Sequence, residues 1–156
     1  MRVGQGFDIH RFSDDPARRL VLGGVHFEGE RGLVGHSDAD VAAHAVADAL
    51  LGAAGLGDIG EHFPDTDPRW EGVDSLVIVR HVAALVREQG WTIGNVDCAI
   101  VCEAPKLAPR KAEMQRLLSD AAGAPVTVKG RRAEGLGTLG RREGIAGWAV
   151  AVIHAD

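Results

Sequence analysis

The segment Ile145–Ala155, IAGWAVAVIHA, decides the architecture. Read as a strand, it points Trp148, Val150 and Val152 to one side and Gly147, Ala149, Ala151 and Ile153 to the other. Neither side is polar. Such a strand needs cover on both faces, so it belongs inside a sheet rather than on a wet edge.

Outward from this strand, strands and helices alternate, but in too small a number for a doubly wound sheet. Arg2 to Arg11 reads as the first strand, and Leu20–Gly24, LVLGG, as a short second one. Asp40 to Ala54 is Ala-rich, closed by Gly55 and Gly57, and predicts a helix. Residues 62–70, HFPDTDPRW, read as a loop. Asp74 or Ser75 can cap a helix that runs to Gln89 and stops at Gly90. A strand over about Thr92–Glu103, a helix over about Pro109–Ala122, the short strand PVTVK and a Gly/Arg-rich loop complete the chain. The expected fold is α+β: a single mixed four- to five-stranded sheet with helices packed on one face. Nothing in the remaining sequence covers the other face, so a further copy of the chain is expected to do so.

The 156 residues are expected to form a single domain over 1–156. Hydrophobic residues make up 46% but aromatics only 4%, with no Tyr, so the core must be built from Ala, Val, Leu and Ile. A formal net charge of −5 argues against a general nucleic-acid or membrane-surface role, which needs a basic footprint. No run of about 18 apolar residues suggests a membrane span. The first strand begins at residue 2 or 3, leaving no room for a leader, and a cytoplasmic protein is expected. Cys98 and Cys102 lie about 13 Å apart along one strand, too far to bridge, and read as small buried hydrophobes.

Candidate chemistry collects in a few places. Asp8 and His10 share one face of the first strand, either as a ligand pair or as the polar side of a half-buried strand. On the Ala-rich helix, Asp40, His44 and Asp48 recur every four residues, with no Glu, Lys or Arg on that helix. Short acids and one imidazole suggest a site wall; an Asp-rich solvated face is the alternative. Asp8, His10 and His44 together would offer two nitrogens and one oxygen, leaving a fourth zinc position open as in catalytic sites. Either histidine could instead be a satisfied core residue. Asp58, Asp65 and Asp67 stand on Gly/Pro-rich backbone suited to closing over a ligand. Lys106 follows Pro105, and Arg131, Arg132, Glu134, Arg141 and Arg142 lie among glycines that permit close approach to phosphate. His26, His62, His81 and His154 are assigned to surface or packing.

The ordered stretches GFDIHRF, LGG, HSDADVAAHAVADALLGAAGLGDIG, FPDTDPRW, GNVD, APK, GLG, GR and EGIA closely resemble the 2-C-methyl-D-erythritol 2,4-cyclodiphosphate synthase family, nearly end to end. From its length a stand-alone member is expected rather than a fusion with the preceding cytidylyltransferase. The resemblance implies a homotrimer with active sites between subunits, and a cytidine diphosphate-linked substrate in non-mevalonate isoprenoid synthesis. It implies one Zn²⁺ per subunit on Asp8, His10 and His44, and Mg²⁺ or Mn²⁺ on Glu134 when substrate is bound. His36 falls at the position credited with stabilising the transition state, and Ser37 and Ile9 at substrate contacts. Asp58, Ile59 and Gly60, with Phe63, Pro64, Asp65, Thr66 and Asp67, match segments holding methylerythritol and its phosphate. Cys102, Glu103, Ala104, Pro105, Lys106, Leu107 and Ala108 match the loop around cytidine and its diphosphate. Arg131, Arg132, Ala133, Thr138 and Arg141 fall in the loop expected beside the diphosphate.

This chain also departs from the family pattern. Ala39 replaces the usual Gly, a change of little consequence if φ is negative there. GRRAE (130–134) replaces a Thr-rich run, and Thr138 replaces an aromatic that often contacts substrate. Arg132 stands where a threonine steadies the reacting phosphates and is expected to take over that role; the alternative is that Arg131 and Arg132 point into solvent. Two other functions compete with the cyclase: a zinc-dependent phosphohydrolase, and a non-catalytic trimer with structural zinc.

Overall fold

The computed structural model describes residues 1–155. Its strands are β1 (Arg2–Arg11), β2 (Leu20–Leu22), β3 (Val25–Phe27), β4 (Thr92–Val101), β5 (Val126–Arg131) and β6 (Gly144–His154). Its helices are α1 (Val41–Ala54), α2 (Ile59–His62), α3 (Ser75–Glu88), α4 (Lys111–Ala122) and α5 (Gly137–Gly140). Four strands form a mixed sheet in the order β1-β6-β4-β5, with only β4 and β5 parallel. The apolar segment read first is therefore an inner strand.

Small residues set how closely the helical layer sits. On the covered side Gly4 pairs with Ala151, Gly6 with Ala149 and Asp8 with Gly147. α1 lies directly on this row. A Cβ on Gly6 would fall 2.0 Å from the Ala45 carbonyl oxygen, and one on Gly4 2.1 Å from that of Ala49. The helix offers Ala42, Ala45, Ala49 and Ala53 in return, all buried. This contact fixes the distance between Asp8 on β1 and His44 on α1.

α1 starts at Asp40, whose carboxylate accepts from the Ala42 and Ala43 amides, and ends at Gly55 in a left-handed conformation. Asp40 is fully buried and also accepts from Gly23 N at 2.8 Å and Gly24 N at 2.7 Å. Those glycines, both with positive φ, form the two-residue turn of the β2–β3 hairpin. Burial and then the Asp38 carboxylate push Asp40 up to about 6, against the backbone N–H donors that favour its charged form. The site wall expected of Asp40, His44 and Asp48 is thus corrected: Asp40 is a structural cap, and Asp48 accepts from Ile59 N at 3.0 Å. Only His44 faces the cleft.

Elsewhere the expected elements stand with small shifts. Asp74 caps α3, and α4 begins at Lys111 after a 3₁₀ turn at Ala108–Arg110. The loop read at 62–70 carries the last residue of α2 and a 3₁₀ turn at Pro68–Trp70. Cys98 and Cys102 are buried and free. On the sheet's outer face Phe7, Ile9, Trp148 and Val150 are exposed, with the Phe7 and Trp148 rings 4.8 Å apart.

Gly6→Ala forces backbone against backbone. It is expected to destabilise the chain by about 3 kcal/mol, read as a shift in the denaturant midpoint.

Candidate active site

Asp8 and His10 reach the covered side of β1 because they sit two residues apart, and His44 arrives from the first turns of α1. Asp8 Oδ2 lies 3.0 Å from both His10 Nε2 and His44 Nδ1. The donor atoms of all three residues fall within 4.8 Å of one another. The opposite ring nitrogens are already committed. His10 Nδ1 stands 2.6 Å from the Val34 carbonyl oxygen, which can only accept, so Nδ1 carries the proton. Ser75 donates its hydroxyl hydrogen to Asp38, leaving Ser75 Oγ to accept from His44 Nε2 at 2.9 Å. Ser37 Oγ lies 3.0 Å from the same nitrogen. Three lone-pair donors therefore converge on one point, which calls for either extra protons or a cation. Two imidazoles and one carboxylate with buttressed outer nitrogens suit a divalent metal with an open position.

Electrostatics agree with this cluster. Burial alone would raise Asp8, but hydrogen bonds from His10 and His44 outweigh it and hold the carboxyl at about 2. His10 is raised: burial lowers it, and the Asp8 carboxylate more than compensates.

A cleft of about 320 Å³ opens beside the triad, lined by His36, Ser37, Ile59, Phe63 and Asp65 among others. His36 Nε2 is 3.0 Å from the Asp67 carbonyl oxygen, tying the His36–Ser37 segment to the 58–67 segment. Asp67 itself pairs with Arg69 at 2.6 Å, and Asp58 caps α2 through Glu61 N. Gly60, Pro64 and Thr66 flank the cleft without lining it. Ile9 turns to the outer face, as the two-residue period requires. Ala39 has φ +59° and is fully buried. The condition under which its replacement of Gly is harmless is not met, and the left-handed conformation costs about 1 kcal/mol.

A second cavity, about 490 Å³, lies beyond the ends of β4 and β5 and shares no lining residue with the first. Cys102, Glu103, Pro105, Lys106, Leu107 and Ala108 line it, with Lys111, Gly130, Arg131 and Arg132. The structure thus joins the APK loop to the start of the arginine loop. Ala104 lies in a neighbouring pocket with Arg142. Arg132 donates to Glu103 at 3.1 Å, holding a side chain that is 6% exposed. Ala133, Glu134 and Thr138 do not line either cavity, and Arg141 pairs with Glu143 at 3.3 Å. Sequence reasoning missed Asp38 and Ser75 behind His44, Trp70 and Ile78 in the cleft wall, and Lys111. None carries a local signal, because each reaches the site only through tertiary packing.

Fold and site define a class: small α+β chains with a two-histidine, one-carboxylate cluster at a sheet edge. The YgbB family profile matches residues 1–154, and the chain belongs to that family. It is 57% identical over 154 residues to the bifunctional enzyme IspD/IspF of Anaeromyxobacter dehalogenans, covering 97% of this chain but 39% of that protein. It is 52% identical to the 2-C-methyl-D-erythritol 2,4-cyclodiphosphate synthase of Pseudomonas paraeruginosa, covering 99% of both chains. A solved IspF of Plasmodium falciparum, a CDP complex, superposes with a TM-score of 0.86 at 30% identity, over 99% of this chain and 96% of that one. Among the described residues no helix is long and apolar enough to cross a membrane.

The pKa shifts set a pH window for the metal-free chain. Asp8 lies below its ordinary 3.8, so its contribution is full above that value and is lost as pH falls through about 2. His10 lies above its ordinary 6.5, so its contribution is full below 6.5 and is lost as pH rises through the raised value. In chelator, Asp8→Asn should remove about 2 kcal/mol between these limits, with little difference from wild type outside them in urea melts.

Proposed function

We infer that this chain converts 4-diphosphocytidyl-2-C-methyl-D-erythritol 2-phosphate to 2-C-methyl-D-erythritol 2,4-cyclodiphosphate and CMP, a step in isoprenoid precursor synthesis. The observation carrying this reading is the convergence of Asp8, His10 and His44 beside the His36–Ser37 cleft. The named relatives and the CDP complex of the Plasmodium falciparum neighbour support it.

The reaction is an intramolecular phosphoryl transfer. The 2-phosphate oxygen attacks the β-phosphorus, the bond from that phosphorus to the bridging oxygen of CMP breaks, and CMP leaves with the electron pair. No enzyme nucleophile is required. The barrier is repulsion between anions, together with the entropy of bringing the two ends together. His36, Ser37 and the Asp58–Asp67 segments hold methylerythritol and its phosphate in the cleft. Lys106 and the 102–108 loop hold the cytidine diphosphate in the second cavity. His36 and Arg132 donate to charge developing on the phosphoryl oxygens, for which Arg132 leaves Glu103. Asp8, His10 and His44 would hold Zn²⁺ and Glu134 would approach Mg²⁺ or Mn²⁺; bound ions supply Lewis-acid neutralisation of phosphate charge.

The cleft belongs to the β1 edge of the sheet and the cationic cavity to the β5 edge. Three strand spacings, about 14 Å, separate those edges. A homotrimer, with cleft and cationic cavity contributed by different subunits, completes the site and covers Phe7, Trp148 and Val150. We assign the chain to the cytoplasm as one domain over 1–156.

The test is ³¹P NMR of the purified protein with the cytidyl substrate and Mg²⁺. Two coupled resonances of a cyclic diphosphate plus CMP are expected; inorganic phosphate would identify a hydrolase. His44→Ala should lose both metal and activity while remaining folded, and Arg132→Ala should lose about 10²–10³ in kcat. Sedimentation should give a trimer at micromolar concentration, and Trp148→Glu should shift it toward monomer.

A further inference from the structure

Arg18 follows β1 by seven residues and belongs to none of the motifs that carry the candidate site. It is half-buried, and no carboxylate among the described residues pairs with it. Its guanidinium donates instead to three backbone carbonyls of one segment. Nε reaches Leu33 O at 2.8 Å, and Nη2 reaches Gly35 O at 3.1 Å and also Ser37 O. The carbonyls in between turn to other partners. Val34 O accepts from His10 Nδ1 at 2.6 Å, and His36 O accepts from Gly72 N at 2.7 Å. Arg18 therefore takes every odd carbonyl of 33–37, while His10 and Gly72 take the even ones.

The segment held this way has two duties. Through Val34 O it sets the tautomer and ring orientation of His10. Through His36 and Ser37 it forms one wall of the cleft. Gly35 permits the approach: a Cβ there would lie 3.2 Å from His10 Cε1 and 2.8 Å from Ala39 Cβ. Such an arrangement needs a planar fork with several fixed donors. A lysine ammonium carries the same charge but cannot hold three carbonyls in register.

We propose that Arg18 is a positioning residue: its guanidinium locks residues 33–37 and so aims His10 at the metal and His36 into the cleft. It touches neither substrate nor metal. The proposal rests on the reading of Asp8, His10 and His44 as a metal site.

The test uses Co²⁺ alone as the probe, with the full-length chain competing against a chromophoric chelator, and the visible d–d bands of the Co²⁺ protein recorded. Losing a group that orients a metal-ligating histidine typically costs 10- to 100-fold in affinity. Arg18→Lys is expected to bind Co²⁺ about 10-fold more weakly, with altered d–d bands, and Arg18→Gln more weakly still. Arg87→Lys is the control, because Arg87 grips the Ala122 and Gly123 carbonyls at the end of α4, away from the cleft. It should lose stability without changing Co²⁺ affinity more than twofold. Arg18→Lys with wild-type affinity and spectrum would overturn the proposal, as would an equal loss in Arg87→Lys. Should the Arg18 variants not fold, hydrogen exchange on the wild type decides. Co²⁺ should slow the Val34 and Gly72 amides but not that of Gly123, and unchanged Val34 and Gly72 rates would overturn the coupling. Failure of the wild type to take up Co²⁺ would instead overturn the metal reading itself, and with it the role of Arg18.

Discussion

The close backbone contact of α1 against β1 is the constraint on which the site depends. Glycine at positions 4 and 6 and alanine along the helix let the two backbones meet without intervening side chains. That packing gains little from large apolar groups, but it makes one distance nearly invariant: His44 to Asp8. A metal site tolerates ligand errors of only a few tenths of an ångström. Packing through Cβ-free backbone is a direct way to reach that tolerance, since no rotamer can absorb a displacement.

Behind the triad, polar groups are buried in connected sets rather than singly. Asp38 receives the Ser75 hydroxyl and amide, Ser75 receives His44, and Asp40 ties the hairpin turn to the start of α1. Each buried carboxylate costs solvation and is retained because backbone N–H groups or hydroxyls replace water. Such sets are rigid for the same reason that they are costly: rotating one member leaves its neighbour unsatisfied. The cleft is thus supported from β1, α1 and the cap of α3 at once.

Much of this was legible because period alone reports it. Alternation in Arg2–Arg11 and Gly144–His154 gave both strands their faces, and the Asp8–His10 spacing followed from the same two-residue repeat. Helical spacing was less reliable. Asp40 and His44 stand four apart on one side of α1, yet one is a sealed cap and the other faces the cleft, because the first residue of the pair lies outside the helix proper. The β2–β3 hairpin was half seen: Gly23–Gly24 reads as the end of a strand until its partner, only three residues long, is recognised. Ala39 shows a different failure. Its φ of +59° is imposed by the tightly held 33–40 segment, and no local preference of alanine announces it. Ser75, Asp38 and Arg18 were silent because their partners are backbone atoms or residues distant in sequence.

The charge arrangement joins these parts. The chain is net acidic, yet Lys106, Lys111, Arg131 and Arg132 gather around one cavity at the ends of β4 and β5. At the opposite edge, the triad concentrates a carboxylate and two imidazole lone pairs that only protons or a cation can reconcile. One site therefore attracts anions directly, and the other does so only once it holds a positive charge of its own. Glu103 tempers the first: its carboxylate accepts from Arg132 at 3.1 Å and neutralises part of that charge. In the proposed reaction a dianionic phosphate would compete for that guanidinium with more charge and more acceptor oxygens than Glu103 can offer. On that proposal the cost of removing Arg132 from Glu103 is offset by the group that requires it, so the strongest field in the cavity would arise only when anionic oxygens are there to receive it.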